Sequence, residues 1–279
     1  MKYKDYSVWA ATHLQPVAYT VCGMRVAAWS GGDARKPCVV LVHGIGGDHS
    51  GMVPLAEALI VSCRVVLVDL AGHGDSDMLP DVSIEAYWEW MADVLAAIER
   101  DHGRVSTVCG HSFGALVVAG AARRAPRTTV LVTPVPWVPK VYRIYGRCVA
   151  QFGRLTALGY NLSFWVWLRG VCIAKQHFGA PFARVRWVGR TTKASYRQVV
   201  YQLRLSSLVM NGDFYSQLQL DHRAVVLRGR GDTMVGRLSK KRRLQYFGDV
   251  EVVSLRGGHL LPIESPRLVA RYVTASTVI

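Results

Sequence analysis

A serine stands between two glycines in Gly110-His111-Ser112-Phe113-Gly114, where an apolar run, 105–109, hands over to an alanine-rich one, 115–122. A serine hydroxyl attacks a carbonyl only when a base takes its proton, and a carboxylate that orients the base improves it. Both groups follow later in the chain. Asp232 closes the turn Arg228-Gly229-Arg230-Gly231-Asp232, and His259 follows Gly257-Gly258. The backbone N–H of Phe113, at a helix start, is a donor for a developing oxyanion. A second donor is expected in the turn His43-Gly44-Ile45-Gly46-Gly47, from Ile45 or alternatively Gly44, because glycines there allow close backbone approach. Removing one such donor costs about 10²–10³ in rate. Each residue alone has a plainer reading: a helix-start serine, a capping aspartate, a loop histidine, a glycine turn. In combination they have the makings of acyl transfer.

These residues need elements to hold them. Apolar, β-branched runs at 38–43, 64–70, 104–110, 128–134, 224–229 and 250–255 predict strands. Helical patterns at 52–61, 83–101, 112–124 and 238–247, and from Pro266 onward, lie between or after them, with Ser83 as a helix cap. Alternation of this kind predicts an α/β fold with a mostly parallel sheet. The early pair around Tyr19–Val21 and Met24–Ser30 predicts an antiparallel hairpin at one edge. Ser112, Asp232 and His259 each follow a predicted strand, the edge where sites form in parallel sheets. The core is thus expected over 1–133 and 223–279. Residues 134–222 interrupt it, opening on three prolines in Pro134–Lys140 and continuing in a mostly helical pattern rich in Arg, Trp and Tyr. A stretch that long must have structure of its own, and its position predicts a helical cap over the sheet. Trp137, Tyr142, Phe164 and Trp165 are candidates to line an acyl pocket there, although such residues also serve as a cap's own core.

The 279 residues are 51% hydrophobic and 19% charged, a globular composition, with a net charge of +15. From Asp101 to Asp213 there is no acidic residue between, while sixteen Lys and Arg occur, twelve of them at 140–204. A one-signed segment of that size attracts anions, so an anionic membrane surface, a CoA phosphate or an acyl-carrier protein is an expected partner, with a merely solvated arginine-rich surface as the alternative. No nucleic-acid-binding motif accompanies the charge, and nucleic acid is not an expected partner. The six cysteines lack CxxC and His/Cys metal spacing and read as reduced core residues, with no metal site. The first fifteen residues lack the apolar centre of a secretory signal, and no run approaches the about 20 apolar residues of a membrane span. A cytoplasmic protein is expected, with peripheral association at an anionic membrane surface as an extension.

Taken in order, HGIGG, DLAGHGDSD, GHSFGA, RGRGD and GGHLLPIESP resemble the α/β-hydrolase superfamily of esterases, lipases and C–C hydrolases. The resemblance implies an eight-stranded, mostly parallel sheet with a helical cap, no cofactor, and Ser112, Asp232 and His259 as a triad. It implies structural roles for His43, His73 and His111. Some enzymes of this type carry the acid after the strand that here ends near Thr133, but no Asp or Glu lies there, which leaves Asp232. The implied activity is hydrolysis of a carboxylic ester or thioester. Carbon–carbon bond hydrolysis, lactone hydrolysis and cofactor-free haloperoxidation use the same triad, and a catalytically silent binding protein is the remaining class.

Overall fold

Valine and leucine occupy both faces of the central strands because both faces are covered by helices, the situation that turns a strand into an unbroken apolar run. The computed structural model describes residues 6–124, 127–135, 195–212, 214, 215, 218, 220, 223–232, 234, 240–248 and 250–277. Helix α1 (Tyr6–His13) leads into β1 (Gln15–Val21), β2 (Met24–Gly31) and β3 (Cys38–Val42). A 3₁₀ turn at His49–Met52 opens α2 (Val53–Leu59), followed by β4 (Arg64–Val68), α3 (Ile84–His102), β5 (Val105–His111), α4 (Phe113–Ala121) and β6 (Thr128–Val132). Then come α5 (Tyr196–Asn211), β7 (Ala224–Gly229), α6 (Lys240–Phe247), β8 (Glu251–Leu255), α7 (Leu261–Glu264) and α8 (Pro266–Ala275).

The strands form one eight-stranded sheet in the order β1-β2-β4-β3-β5-β6-β7-β8. From β4 to β8 every neighbouring pair is parallel; β2 runs antiparallel to both β1 and β4. This is the mostly parallel sheet with an edge hairpin that the sequence predicts. The period-two geometry of a strand divides the core. Val40, Val42, Val66, Val68 and Val108 pack with Met91, Val94 and Leu95 of α3 and Leu116 and Val117 of α4. Their chain neighbours Val39, Leu41, Val65, Leu67 and Cys109 face the other way, onto Leu55 and Leu59 of α2 and Val269 and Val273 of α8. Burying one such side chain contributes roughly 1.5–3 kcal/mol.

Two elements depart from the sequence reading. Helix α1 was not expected, because its stretch has no clear apolar stripe; in the structure it lies on the surface with no fully buried residue. Cys22 is not a core residue. It occupies the β1–β2 turn, exposed and with φ of 52°, whereas Cys38, Cys63 and Cys109 are buried free thiols as expected. Cys148 and Cys172 lie outside the described residues, as does most of the 134–222 segment. Of that segment, α5 is helical from Tyr196 and capped by Ser195 and Gln198 in a reciprocal capping box. It buries Val199, Leu203 and Leu205. No helix among the described residues is long and apolar enough to cross a membrane.

Helices α3 and α4 meet where Trp88 lies against Gly120. The indole Nε1–H donates to the Leu116 carbonyl (3.1 Å), and a Cβ at Gly120 would fall 2.1 Å from Trp88 Cδ1. Gly120→Ala therefore overpacks this contact. It is expected to lower the unfolding free energy by about 1–3 kcal/mol, read as a lower urea midpoint at unchanged slope.

Candidate active site

Ser112 is the first residue past β5 and the one before α4. Its φ of 54° and ψ of −113° lie where a side chain is strained, and the cause is the closeness of its neighbours. A Cβ at Gly114 would sit 2.3 Å from the His43 carbonyl oxygen and 2.7 Å from that of Val42. A Cβ at Gly110 would sit 2.4 Å from the Gly114 carbonyl oxygen. Without those side chains, α4 starts directly against β3 and the chain must turn sharply at position 112. The Ser112 N–H donates to the Val132 carbonyl (2.9 Å), which ties the turn to β6. The serine is only 8% exposed.

His259 and Asp232 arrive from the loops after β8 and β7. Those loops are bound to each other: Arg230 N–H donates to the Leu255 carbonyl and Gly231 N–H to that of Gly257, both at 2.9 Å. The Ser112 Oγ–H donates to His259 Nε2 (3.0 Å), and His259 Nδ1–H donates to Asp232 Oδ2 (2.9 Å). Asp232 Oδ1 accepts from the Met234 N–H (2.9 Å). The carboxylate side chain is 1% exposed and the imidazole 11%. Around the histidine the backbone is also held. Its carbonyl accepts from Thr133 Oγ1–H (2.8 Å) and from His111 Nε2–H (2.9 Å). The Glu264 carboxylate accepts from Gly258 N–H (2.5 Å) and Leu260 N–H (3.2 Å), the N–H groups of the residues on either side.

The third component is the turn after β3. The Gly44 carbonyl accepts from His43 Nδ1–H (2.8 Å) and from Gly47 N–H (3.2 Å). A trans peptide sets its C=O and N–H in opposite directions, so the Ile45 N–H projects away from those bonds. A Cβ at Gly44 would be 3.1 Å from Ser112 Cβ, so this turn borders the serine. Among the described residues neither Ile45 N–H nor Phe113 N–H has an acceptor. His43 Nε2 accepts from Leu70 N–H (3.0 Å), which fixes its tautomer. Asp69, at the end of β4, is fully buried and gathers His49 N–H (2.6 Å), His49 Nδ1–H (3.0 Å) and Asp75 N–H (3.0 Å). Burial opposes its ionisation, yet these donors, His49 foremost, hold its carboxyl below the ordinary carboxylate range. On the outer side of the same loop, α5 docks. Gln202 donates to the Gly72 carbonyl (2.9 Å) and Gln198 to that of Gly74 (2.8 Å). The Tyr201 and Tyr87 hydroxyls lie 3.1 Å apart, and Tyr87 donates to the Ala71 carbonyl (2.7 Å).

Ser112, Asp232 and His259 thus meet, and Phe113, Ile45 and Gly44 surround the serine. Trp137, Tyr142, Phe164 and Trp165 lie outside the described residues. The sequence reading did not single out Thr133, Asp69 or Glu264. Thr133 has no acidic or aromatic signal to mark it. Glu264 carries one, an acid five residues after His259, and Asp69 another, an acid ending an apolar strand run.

The profile of the alpha/beta hydrolase family matches residues 39–272, and the chain belongs to that family. It is 40% identical over 109 residues to the pimeloyl-(acyl-carrier protein) methyl ester esterase of Methylococcus capsulatus, covering 38% of this chain and 39% of that one. It is 32% identical over 96 residues to 3-oxoadipate enol-lactonase 1 of Acinetobacter baylyi, covering 34% of each. The chain spans well under half the length of these relatives. A solved alpha/beta hydrolase fold protein from Burkholderia ambifaria shares the fold at a TM-score of 0.72, with 20% identity over 94% of this chain and 99% of that one.

Three histidines around the site are held neutral. Burial, with His43 nearby, pushes His73 down to about 3. Burial, with His259 nearby, does the same to His111, down to about 3, and burial lowers His43 despite Asp69. Below their ordinary value of 6.5 the unfolded chain binds protons that the folded chain refuses. The stability they permit is complete above pH 6.5 and is lost as pH falls toward 3. Urea unfolding at pH 7 and pH 5 is expected to differ by roughly 2 kcal/mol for each of His73 and His111, and His73→Gln should flatten that slope by one proton.

Proposed function

We propose that the protein is a serine hydrolase that cleaves a carboxylic ester or thioester through an acyl-enzyme on Ser112. What carries the reading is the unbroken run of hydrogen bonds from Ser112 Oγ through the His259 imidazole to Asp232, at 3.0 and 2.9 Å. His259 Nε2 takes the Ser112 proton as the oxygen attacks the carbonyl carbon, and Asp232 steadies the imidazolium through Nδ1–H. The Phe113 and Ile45 N–H groups receive the oxyanion, Ile45 being favoured over the alternative Gly44 because the carbonyl of the Gly44–Ile45 peptide is taken up by His43 and Gly47. His259 returns the proton to the leaving group and then activates water, which releases the acid and restores the serine.

We assign substrate choice to the segment 134–222, expected from the sequence to form a cap. Its acid-free, arginine-rich composition suits an anionic or carrier-linked acyl group, and one relative is named for an ester on an acyl-carrier protein. A lactone, an ester closed into a ring, suits the same chemistry, and another relative is named as a lactonase. Free thiols at Cys22, Cys38, Cys63 and Cys109 favour a reducing compartment, hence the cytoplasm.

A chain-length series of p-nitrophenyl esters, from acetate to palmitate, tests the reading. Ser112→Ala and His259→Ala are each expected to lower kcat/KM by about 10³-fold or more, and Asp232→Asn by about 10⁴-fold through the wrong imidazole tautomer. A fluorophosphonate should label the wild type at Ser112 alone. No ester turnover and no labelling would overturn the assignment.

A further inference from the structure

The Gly257-Gly258-His259-Leu260 stretch gains no rigidity from its own composition, yet its peptide groups are taken up by other parts of the chain. The His259 carbonyl is held by Thr133 and His111 from the ends of β6 and β5. The two N–H groups that bracket it, those of Gly258 and Leu260, converge on one carboxylate. That carboxylate belongs to Glu264, whose own N–H donates back to the Leu260 carbonyl (2.8 Å) and closes the short turn of α7. A Cβ at Gly257 would stand 3.2 Å from Glu264 Oε2, so the carboxylate lies directly against the loop.

We infer that Glu264 is a positioning residue for the general base, holding the N–H groups of the residues on both sides of His259 and setting a second negative charge near the imidazole. The inference rests on the role given to His259 above. A carboxylate suits this task better than an amide. It offers two acceptor oxygens to two N–H donors, and charge-assisted bonds to N–H groups are shorter and stronger than neutral ones. Asp232 alone contacts the ring at Nδ1; Glu264 reaches the same histidine through its backbone. The titratable and charged groups facing the imidazole are Asp232 from the β7 loop, neutral His111 from β5 and Glu264 from α7. Those facing Glu264 are His259 and Asp232. Burial, with Asp232 adding to it, pushes the Glu264 carboxyl above its ordinary value, against the pull of the two N–H donors and His259.

Glu264→Gln keeps the size but removes the charge and turns one N–H donor toward an NH₂. With the ester found best for the wild type, it is expected to lower kcat by about 10²-fold or less, the cost of a misplaced catalytic group, with KM nearly unchanged. Loss of a nearby negative charge disfavours the imidazolium, so the acid limb of kcat/KM against pH should move to lower pH. Glu264→Asp keeps the charge and loses the reach; kcat should fall while the acid limb stays near its wild-type position. If Glu264→Gln fails to fold, the aspartate variant decides by that split. A loss of kcat tracking a fall in Tm, with the acid limb unmoved in the glutamine variant, would reduce Glu264 to a structural role and overturn the inference. So would wild-type kinetics in both variants. A wild type without Ser112-dependent activity would instead overturn the underlying hydrolase reading, and this inference with it.

Discussion

The site depends first on the close approach of α4 to β3, where the Gly114 backbone lies against the Val42 and His43 carbonyls. The sheet cannot move apart there, because β3 is fixed between β4 and β5 and its side chains are completely buried on both faces. The helix must therefore begin hard against the strand, and the one residue between β5 and α4 takes up the whole change of direction. That residue is Ser112, and its strained backbone is the outcome of packing around it. The same approach brings the turn after β3 beside Ser112, so the serine and the Ile45 and Phe113 N–H groups are set by one contact.

Around this point the site is assembled from loops that fasten one another. The turns after β7 and β8 share two backbone hydrogen bonds, and His259 is gripped through its carbonyl and through its neighbours' N–H groups. On the opposite side a buried carboxylate, Asp69, keeps the β4 loop and His49 in place, and His43 ties the β3 turn to Leu70. Charge is kept sparse. The histidines nearest the site are neutral, and the carboxylates at its centre each meet donors.

Much of this was legible in the residues because burial on two faces leaves a plain mark. A strand such as 38–42 or 64–68 has no polar face to break its apolar run, and glycines on either side of Ser112 signal crowding. Asp232 and His259 were found because each follows such a run. Helix α1 left no comparable mark, since a surface helix with no buried residue has no stripe to read. Cys22 was misplaced because cysteine in a turn looks like cysteine in a core. Thr133 and Glu264 escaped attention for another reason. Both act on backbone atoms of the His259 loop, and a peptide group presents the same donor and acceptor whatever residue carries it.

That indifference has a further consequence where α5 meets the core. Gln198 and Gln202 bind the carbonyls of Gly74 and Gly72, main-chain atoms that persist through most substitutions. The attachment thus depends on the path of the β4 loop and on its glycines, since a Cβ at Gly72 would fall 2.3 Å from Tyr201 Cε1. A helix fastened in this way can vary at its exposed positions while the two glutamines, with Tyr201 and Leu205 in the core, keep it seated. Divergence on one side of that junction then leaves the other side free to stay as it is.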